Sequence, residues 1–370
     1  MATIPKLALI PSGVKAGKLY SVLPTNGDGD FTTTRNTVAT RVNENGLIEE
    51  VASNVPRLDY SDGGCPFLLL EPTATNLIPH SQTFDAGWSK LNGVVVSATK
   101  VTSPDGTLNA SQLIYDGTSG GRIERGIGGL TQGADYTVSV YARVSSGTQV
   151  VRFGSVADFE YTLTTEWQRL ISTEAENDTV GYPRLKCDDA VTVEIYGFQL
   201  EQNSYATSYI KTVGTTQTRS ADTANGAGNA STFNDSEGVL MAEISALSKD
   251  NDFELISISG TNSFISFGFA NNTTSLYVDG AINGAVLFPI TTTPINQTEN
   301  NKVALKYKSG SCKVYVNGIN VVTTTTSYTV GSSFLNTLKF KYQNDGFPFY
   351  GNTKQVQYFD SALNDSDLEK

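Results

Sequence analysis

The stretch "KVALKYKSGSCKVYVNGINV", residues 302–321, constrains the fold more than any other. Val303, Leu305 and Tyr307 alternate with Lys306 and Lys308, then Ser-Gly-Ser interrupts, then Val314 and Val316 run into Asn317-Gly318. Period-two alternation suits a strand with one face buried. Asn-Gly supplies the two left-handed residues of a tight hairpin turn. The segment reads strand, turn, strand, turn, strand. "SLYVDGAINGAV" reads the same way, with its turn placed at Asp279-Gly280.

The pattern recurs upstream. In "DYTVSVYARV", Tyr136, Val138, Val140, Ala142 and Val144 share one face, and Thr137, Ser139, Tyr141 and Arg143 the other. "AVTVEIYGFQLE" repeats it with Val191, Val193 and Ile195, and Gly197 then permits a bulge or a close backbone approach. The small polar run "TTQTRSADTANGAGNAS" marks a boundary near residue 219. Only "SALNDSDLEK" offers helix, one terminal turn capped by Asn364 or Asp365. The reading is all-β, two β-sandwiches of jelly-roll type behind an extended N-terminal arm: residues 1–73, 74–218 and 219–370.

Composition agrees. Charged residues make up 17% of the 370, against about a quarter in an average domain. The polar surface is therefore Thr, Ser, Asn and Gly, which favours strands and turns. A net charge of −11 and a pI near 4.7 repel nucleic-acid backbones and anionic membranes, so neither is an expected partner. Cys65, Cys187 and Cys312 are odd in number and far apart, which implies small buried side chains and assembly in a reducing cytoplasm. The apolar run in "MATIPKLALIPSG" is too short for a signal peptide. An exported-looking surface without an export signal fits a protein released by lysis inside a virus particle.

The ordered run "ATNLIPHSQTFDAGW", "SPDGTLNASQLIYD", "YTVSVYAR", "EWQRL" and "IYGFQLEQNSYATSYIKT…TRSAD", over about residues 74–222, resembles a carbohydrate-binding-module-like jelly roll that recurs in bacteriophage tail and capsid fibre proteins. The matching positions are Thr75-Asn76-Leu77, Trp88, Gln199-Leu200-Glu201, Thr207 to Ile210 and Arg219 to Asp222. "VALKYKSGSCKVYVNGINV" and "VQYFDSALNDSDLEK" resemble a laminin-G or concanavalin-A-type jelly roll. "ATRVNENGLIEEVASNVPRLDYSDGGCPFLLLEP" resembles the segment that joins such a module to the particle.

The resemblance implies a virion structural protein: a capsid (head) or tail fibre or spike subunit, homotrimeric, assembled in the host bacterial cytoplasm beside other virion proteins. Arg41, Arg57, Asp59 and Tyr60 are then the anchoring candidates, with Arg57 and Asp59 paired along the arm. Leu68, Leu69 and Leu70 would be buried against another surface. The alternatives are a glycan-binding adhesin without a virion role and a polysaccharide-degrading enzyme.

Chemistry-bearing residues are sparse. His80 is the single histidine, with no nucleophile motif around it, and there is no phosphate-binding or metalloprotease motif. Glycoside hydrolysis needs two facing carboxylates; Asp158 and Glu160 are examples of such candidates, but any acidic chain offers pairs of this kind. An enzyme is not expected. Glycan binding would use aromatic faces, and Tyr161, Tyr182, Phe159, Tyr115 and Trp88 are the candidates. Trp88 and Trp167 suit core positions better, and Tyr161 and Tyr182 exposed ones. No cofactor is expected. Structural calcium is common in both jelly-roll families, but "NGDGD" (26–30) and "KCDDA" (186–190) offer oxygens without a complete loop and read as solvated turns.

Overall fold

A computed structural model describes residues 3–369 apart from 86, 250–251, 272–273 and 331–333. The chain is all-β. The helix found among the described residues is a single turn, Asp365–Leu368, and no helix is long and apolar enough to cross a membrane. Two units emerge: residues 1–36, 51–72 and 221–370 form the first, and residues 37–50 and 73–220 the second.

The first unit is a sandwich of two antiparallel sheets. One runs Ile319–Thr324, Cys312–Val316, Asn301–Lys308, Glu237–Ala246, Gly351–Phe359, Phe67–Leu70, Arg57–Asp59, and Leu7–Leu9 also pairs with Gly351–Phe359. The other runs Val14–Lys15, Lys18–Leu19, Phe31–Thr34, Thr223–Ala227, Leu335–Lys339, Glu254–Gly260, Ser263–Phe269, Ser275–Ile282, Ala285–Pro294. Leu240, Ile244, Leu305 and Val356 of one sheet meet Ile256, Phe267, Val278 and Leu338 of the other in a shared core.

The N-terminal segment is therefore not a separate arm. Leu7, Leu9, Leu68 and Leu70 are buried in this same core, and Leu7 pairs with Tyr358 and Leu70 with Gly351. Each fully buried leucine contributes about 1.5–3 kcal/mol, which outweighs leaving the segment free to seek another chain. The boundary expected near 219 falls between 220 and 221. It is strand on either side: Gln217–Arg219 pairs with Ala74–Asn76 in the second unit, and Thr223–Ala227 with Phe31–Thr34 in the first.

The anchoring candidates are engaged internally. Arg57 is fully buried and pairs with Glu71 at 2.5 Å and with Asp222. Asp59, buried, accepts from the Ser61 amide at 2.9 Å. Tyr60 packs against the first unit's core. Arg41 bonds Glu49 in the second unit.

Asn317-Gly318 forms the expected tight turn, both residues left-handed, with Val316 opposite Ile319. In the neighbouring hairpin the turn is Asn283-Gly284, with Ile282 opposite Ala285. Asp279 and Gly280, expected as the turn, lie inside the strand.

The second unit packs two five-stranded sheets. The first runs Ser89–Leu91, Gly121–Glu124, Arg184–Cys187, Gln149–Gly154, Phe159–Leu163. The second runs Val94–Thr102, Leu108–Asp116, Ala190–Glu201, Asp135–Val144, Gln168–Ala175. Tyr136, Val138, Val140, Ala142 and Val144 all face the core, as their spacing requires. Thr137 and Ser139 on the other face are buried too, because residues 203–207 cover it: Thr137 Oγ1 donates to the Asn203 carbonyl and Arg169 to the Thr207 carbonyl. Gly197 has φ +68 at a register shift, and a Cβ there would sit 3.2 Å from the Tyr209 ring. It is both bulge and close approach. The "SPDGT" turn is tied by Asp105, which accepts from Ser103, Thr107, Asn109 and the Tyr196 hydroxyl at 2.6–2.9 Å.

Candidate functional site: an outer sheet face in the second unit

The aromatic candidates separate into three groups. Trp88 and Tyr115 are core residues, 4% and 3% exposed. Trp88 packs on Phe84 and Phe198, and the Tyr115 hydroxyl donates to the Leu185 carbonyl. Neither can stack on a sugar. Tyr161 and Phe159 lie on an edge strand opposite Val151 and Phe153, both core residues, so they share the inward face. Tyr161 is half-buried, edge-on to Phe153, and donates its hydroxyl to the Ile171 carbonyl. Phe159 is 46% exposed where that face opens. Tyr182 alone of the five stands beside the outward face of this sheet, 48% exposed.

Sheet register builds a site around it. Arg122 lies opposite Lys186, which lies opposite Arg152, and Glu124 lies opposite Arg184. Tyr182, Arg122, Glu124, Arg184 and Lys186 line an open depression of about 430 Å³. Like charges brought this close repel unless neutralised. Glu124 accepts from Arg122 at 2.7 Å, Asp158 accepts from Arg184 at 2.8 Å and from Lys186, and Asp188 from Arg152. Four cations share three carboxylates in a cross-braced array, so its donors are held by ion pairs and one positive charge is left over. Tyr182 is held by its neighbours: Pro183 restricts the backbone, and a Cβ at Gly126 would lie 3.4 Å from Tyr182 Cε1, so the glycine backbone underlies the ring.

Burial alone would raise the Asp158 carboxyl, but hydrogen bonds from Lys186 and Arg184 outweigh it and hold it below the usual carboxylate range. A carboxyl kept ionised in this way is poorly suited to be the general acid that glycoside hydrolysis requires.

Carboxylates of both calcium-candidate stretches have protein partners. Asp188 binds Arg152, Asp189 accepts from Gln149, and in the first unit Asp30 pairs with Lys18 at 2.7 Å. Among the described residues no three His, Cys, Asp or Glu side chains cluster as a metal site. His80 contacts Thr83 at 3.5 Å and accepts the Trp88 indole N–H through its carbonyl at 3.3 Å.

Sequence reasoning missed Arg122, Glu124, Arg184 and Lys186. The signal was present as ionisable residues at every second position in "RIE" and "RLK", each flanking a core residue, Ile123 and Leu185.

No family model and no curated relative matches the chain. Several solved structures align with the chain at low identity. A Trypanosoma rangeli sialidase mutant displaying trans-sialidase activity aligns at 12% identity and TM-score 0.31, over 40% of this chain and 26% of its own. The N-terminal CBM22 tandem domain of Paenibacillus barcinonensis Xyn10C aligns at 14% and 0.29, over 79% and 99%. Domain 4 of AbnA, an extracellular arabinanase from Geobacillus stearothermophilus, in complex with arabinotriose, aligns at 12% and 0.24, over 91% and 98%. The chain thus spans about a quarter of the length of the sialidase. Every one of these scores is too low to bear on function.

Proposed function

We propose that this chain is a non-catalytic structural protein of a bacteriophage particle, a fibre or spike subunit whose second unit holds host-surface glycan against the Tyr182 face. The observation that carries the glycan reading is Tyr182, an exposed ring backed by glycine beside a cross-braced row of Arg and Lys donors and carboxylate acceptors. Sugars present C–H faces to aromatic rings and hydroxyls to charged hydrogen-bonding groups. A pre-organised array loses little entropy on binding them. The virion reading rests on the ordered motifs over residues 74–222 and on three unpaired cysteines, which suit assembly in a reducing cytoplasm. A homotrimer belongs to this proposal, because weak sites gain from repetition on a symmetric particle.

The test has two arms. Mass spectrometry of purified particles should recover the chain. Glycan-array binding by the intact protein should fall on Tyr182→Ala, with an unchanged melting temperature. Binding in that variant as strong as in wild type removes the Tyr182 face from the proposal, and absence of the chain from particles removes the virion role.

A further inference from the structure

The first unit carries a second surface with the chemistry of a sugar site, on the outer face of its nine-stranded sheet. On Ser275–Ile282 the core takes Leu276, Val278 and Ile282, so Tyr277 and Asp279 point the other way. Residues 341–348 fold over this face: Ser257 Oγ donates to the Lys341 carbonyl at 2.6 Å and the Leu255 amide to the Phe347 carbonyl at 3.3 Å. That loop brings Tyr342 onto Asp279. The Tyr342 hydroxyl donates to Asp279 Oδ2 at 2.6 Å, and the Tyr277 hydroxyl reaches the same oxygen at 3.4 Å. Burial, then the Asp279 charge, pushes the Tyr277 hydroxyl up to about 12, so it stays a donor.

The carboxylate is only half used. Both hydroxyls converge on Oδ2, while Oδ1 accepts from no described residue, and no described Lys or Arg pairs with Asp279. Around it the rings are continuous. Phe253 packs on Tyr277 and Phe347 at 5.1 and 5.3 Å, and Tyr342 on Phe264 and Phe347 at 5.6 and 6.1 Å. Phe347 is 39% exposed and holds φ +46, a left-handed backbone that a bulky residue rarely adopts. The loop thus presents an apolar ring to water beside an acceptor that lacks a donor.

From this juxtaposition we infer that the Asp279–Tyr342–Phe347 surface binds a neutral pyranose, its ring C–H face on Phe347 and its hydroxyls donating to Asp279 Oδ1. A cation is the other ligand an acid among aromatics could take. Here three of the ring contacts are edge to face and the Tyr342–Phe347 contact is tilted, which makes a platform and not the enclosing cage a quaternary ammonium needs. The site is separate from the Tyr182 face and does not depend on it.

Saturation-transfer NMR and calorimetry on the full chain test the inference, with maltohexaose, cellohexaose and chitohexaose as probes at up to about 10 mM, a range that captures millimolar affinity. Wild type, Tyr182→Ala, Asp279→Ala and Phe347→Ala are compared, with melting curves. At least one hexaose should bind the Tyr182→Ala protein, and Asp279→Ala and Phe347→Ala, each added to Tyr182→Ala, should weaken that binding by about fivefold or more. Phe347→Ala removes an exposed ring, so it reports even where Asp279→Ala unfolds. The inference is overturned if no hexaose binds the Tyr182→Ala protein, if both first-unit variants bind like wild type, or if choline chloride binds there and the hexaoses do not. A total loss in Tyr182→Ala sinks this site alone. Full binding in Tyr182→Ala with loss in Asp279→Ala sinks the Tyr182 reading alone.

Discussion

Arg57 and Asp222, 165 positions apart in the chain, form an ion pair with almost no exposed surface: Arg57 is fully buried and the Asp222 side chain 5% exposed. Arg57 reaches Glu71 with its other nitrogen, and Arg35 holds the second Asp222 oxygen at 3.0 Å while donating to the carbonyls of Val51, Ala52 and Val55. Two guanidiniums and two carboxylates thus close a buried ladder that joins Arg35, Arg57 and Glu71 to Asp222 inside the first unit. Burial would lower the Arg57 guanidinium, but Asp222 and Glu71 outweigh it and push it up.

Breaking one rung leaves a buried charge without its partner. Arg57→Met should cost about 3–5 kcal/mol. Arg57→Met with Glu71→Met removes one charge of each sign and keeps Arg35–Asp222, so it should cost clearly less than the two single changes combined. Urea denaturation of the four proteins gives the coupling energy, and strict additivity would refute the ladder.

The two tryptophans should answer differently to truncation. Trp88 is wedged between Phe84 and Phe198, and Trp88→Ala should cost about 3–5 kcal/mol. Trp167, expected in the core, is only half-buried. Its ring lies 4.7 Å from the Arg143 guanidinium and its N–H reaches the Thr102 carbonyl at 3.3 Å. Trp167→Ala should cost about 1–2 kcal/mol, the scale of a partly exposed cation–π contact and one hydrogen bond. Melting curves on the two variants decide it, and equal losses would place Trp167 in the core after all.

Of the three cysteines, Cys187 and Cys312 are buried, and Cys65 in the "SDGGC" turn is exposed, against the expectation of three buried side chains. Burial pushes the Cys187 and Cys312 thiols up. An aromatic disulfide reagent should therefore label Cys65 quickly and the other two only after denaturation. Fast reaction of all three, or of none, in the native protein would contradict the fold around those strands.

Local pattern reported local structure well. The Asn317-Gly318 turn, the inward set from Tyr136 to Val144 and the Gly197 bulge all follow from side-chain period and backbone freedom within a few residues. Asp279-Gly280 was misplaced because two turn-forming dipeptides stand four positions apart, and only cross-strand pairing with Ser266 and Phe288 shows that Asn283-Gly284 makes the turn. The N-terminal segment was misjudged for the same physical reason. Its leucines signal burial but not the partner, and Leu7 opposite Tyr358 is set by the whole sandwich. The Tyr182 face was half legible: an aromatic beside proline suggested exposure, whereas Arg122 opposite Lys186 exists only once the register is known.

Acid should expose the role of Asp105. Burial alone would raise this carboxyl, but hydrogen bonds from Ser103, Thr107 and Asn109 outweigh it and hold it well below its ordinary value. A folded-state pKa below the unfolded one means the unfolded chain binds the proton more readily. The stabilisation is then fully present above the unfolded pKa of about 3.9 and is lost as pH falls from there through the folded value. Asp105→Ala removes it at every pH and leaves the Tyr196 hydroxyl without that acceptor. At pH 7 the variant should be less stable than wild type by about 1–3 kcal/mol, the cost of unmade hydrogen bonds in a partly buried turn. Below pH 4 the gap should narrow steadily, because the unfolded wild-type chain takes up a proton at Asp105 that the folded protein still excludes. Denaturation curves for both proteins from pH 7 down to about pH 2.5 measure it. A gap that stays constant across that range would mean that the turn is held by its backbone and not by the Asp105 charge.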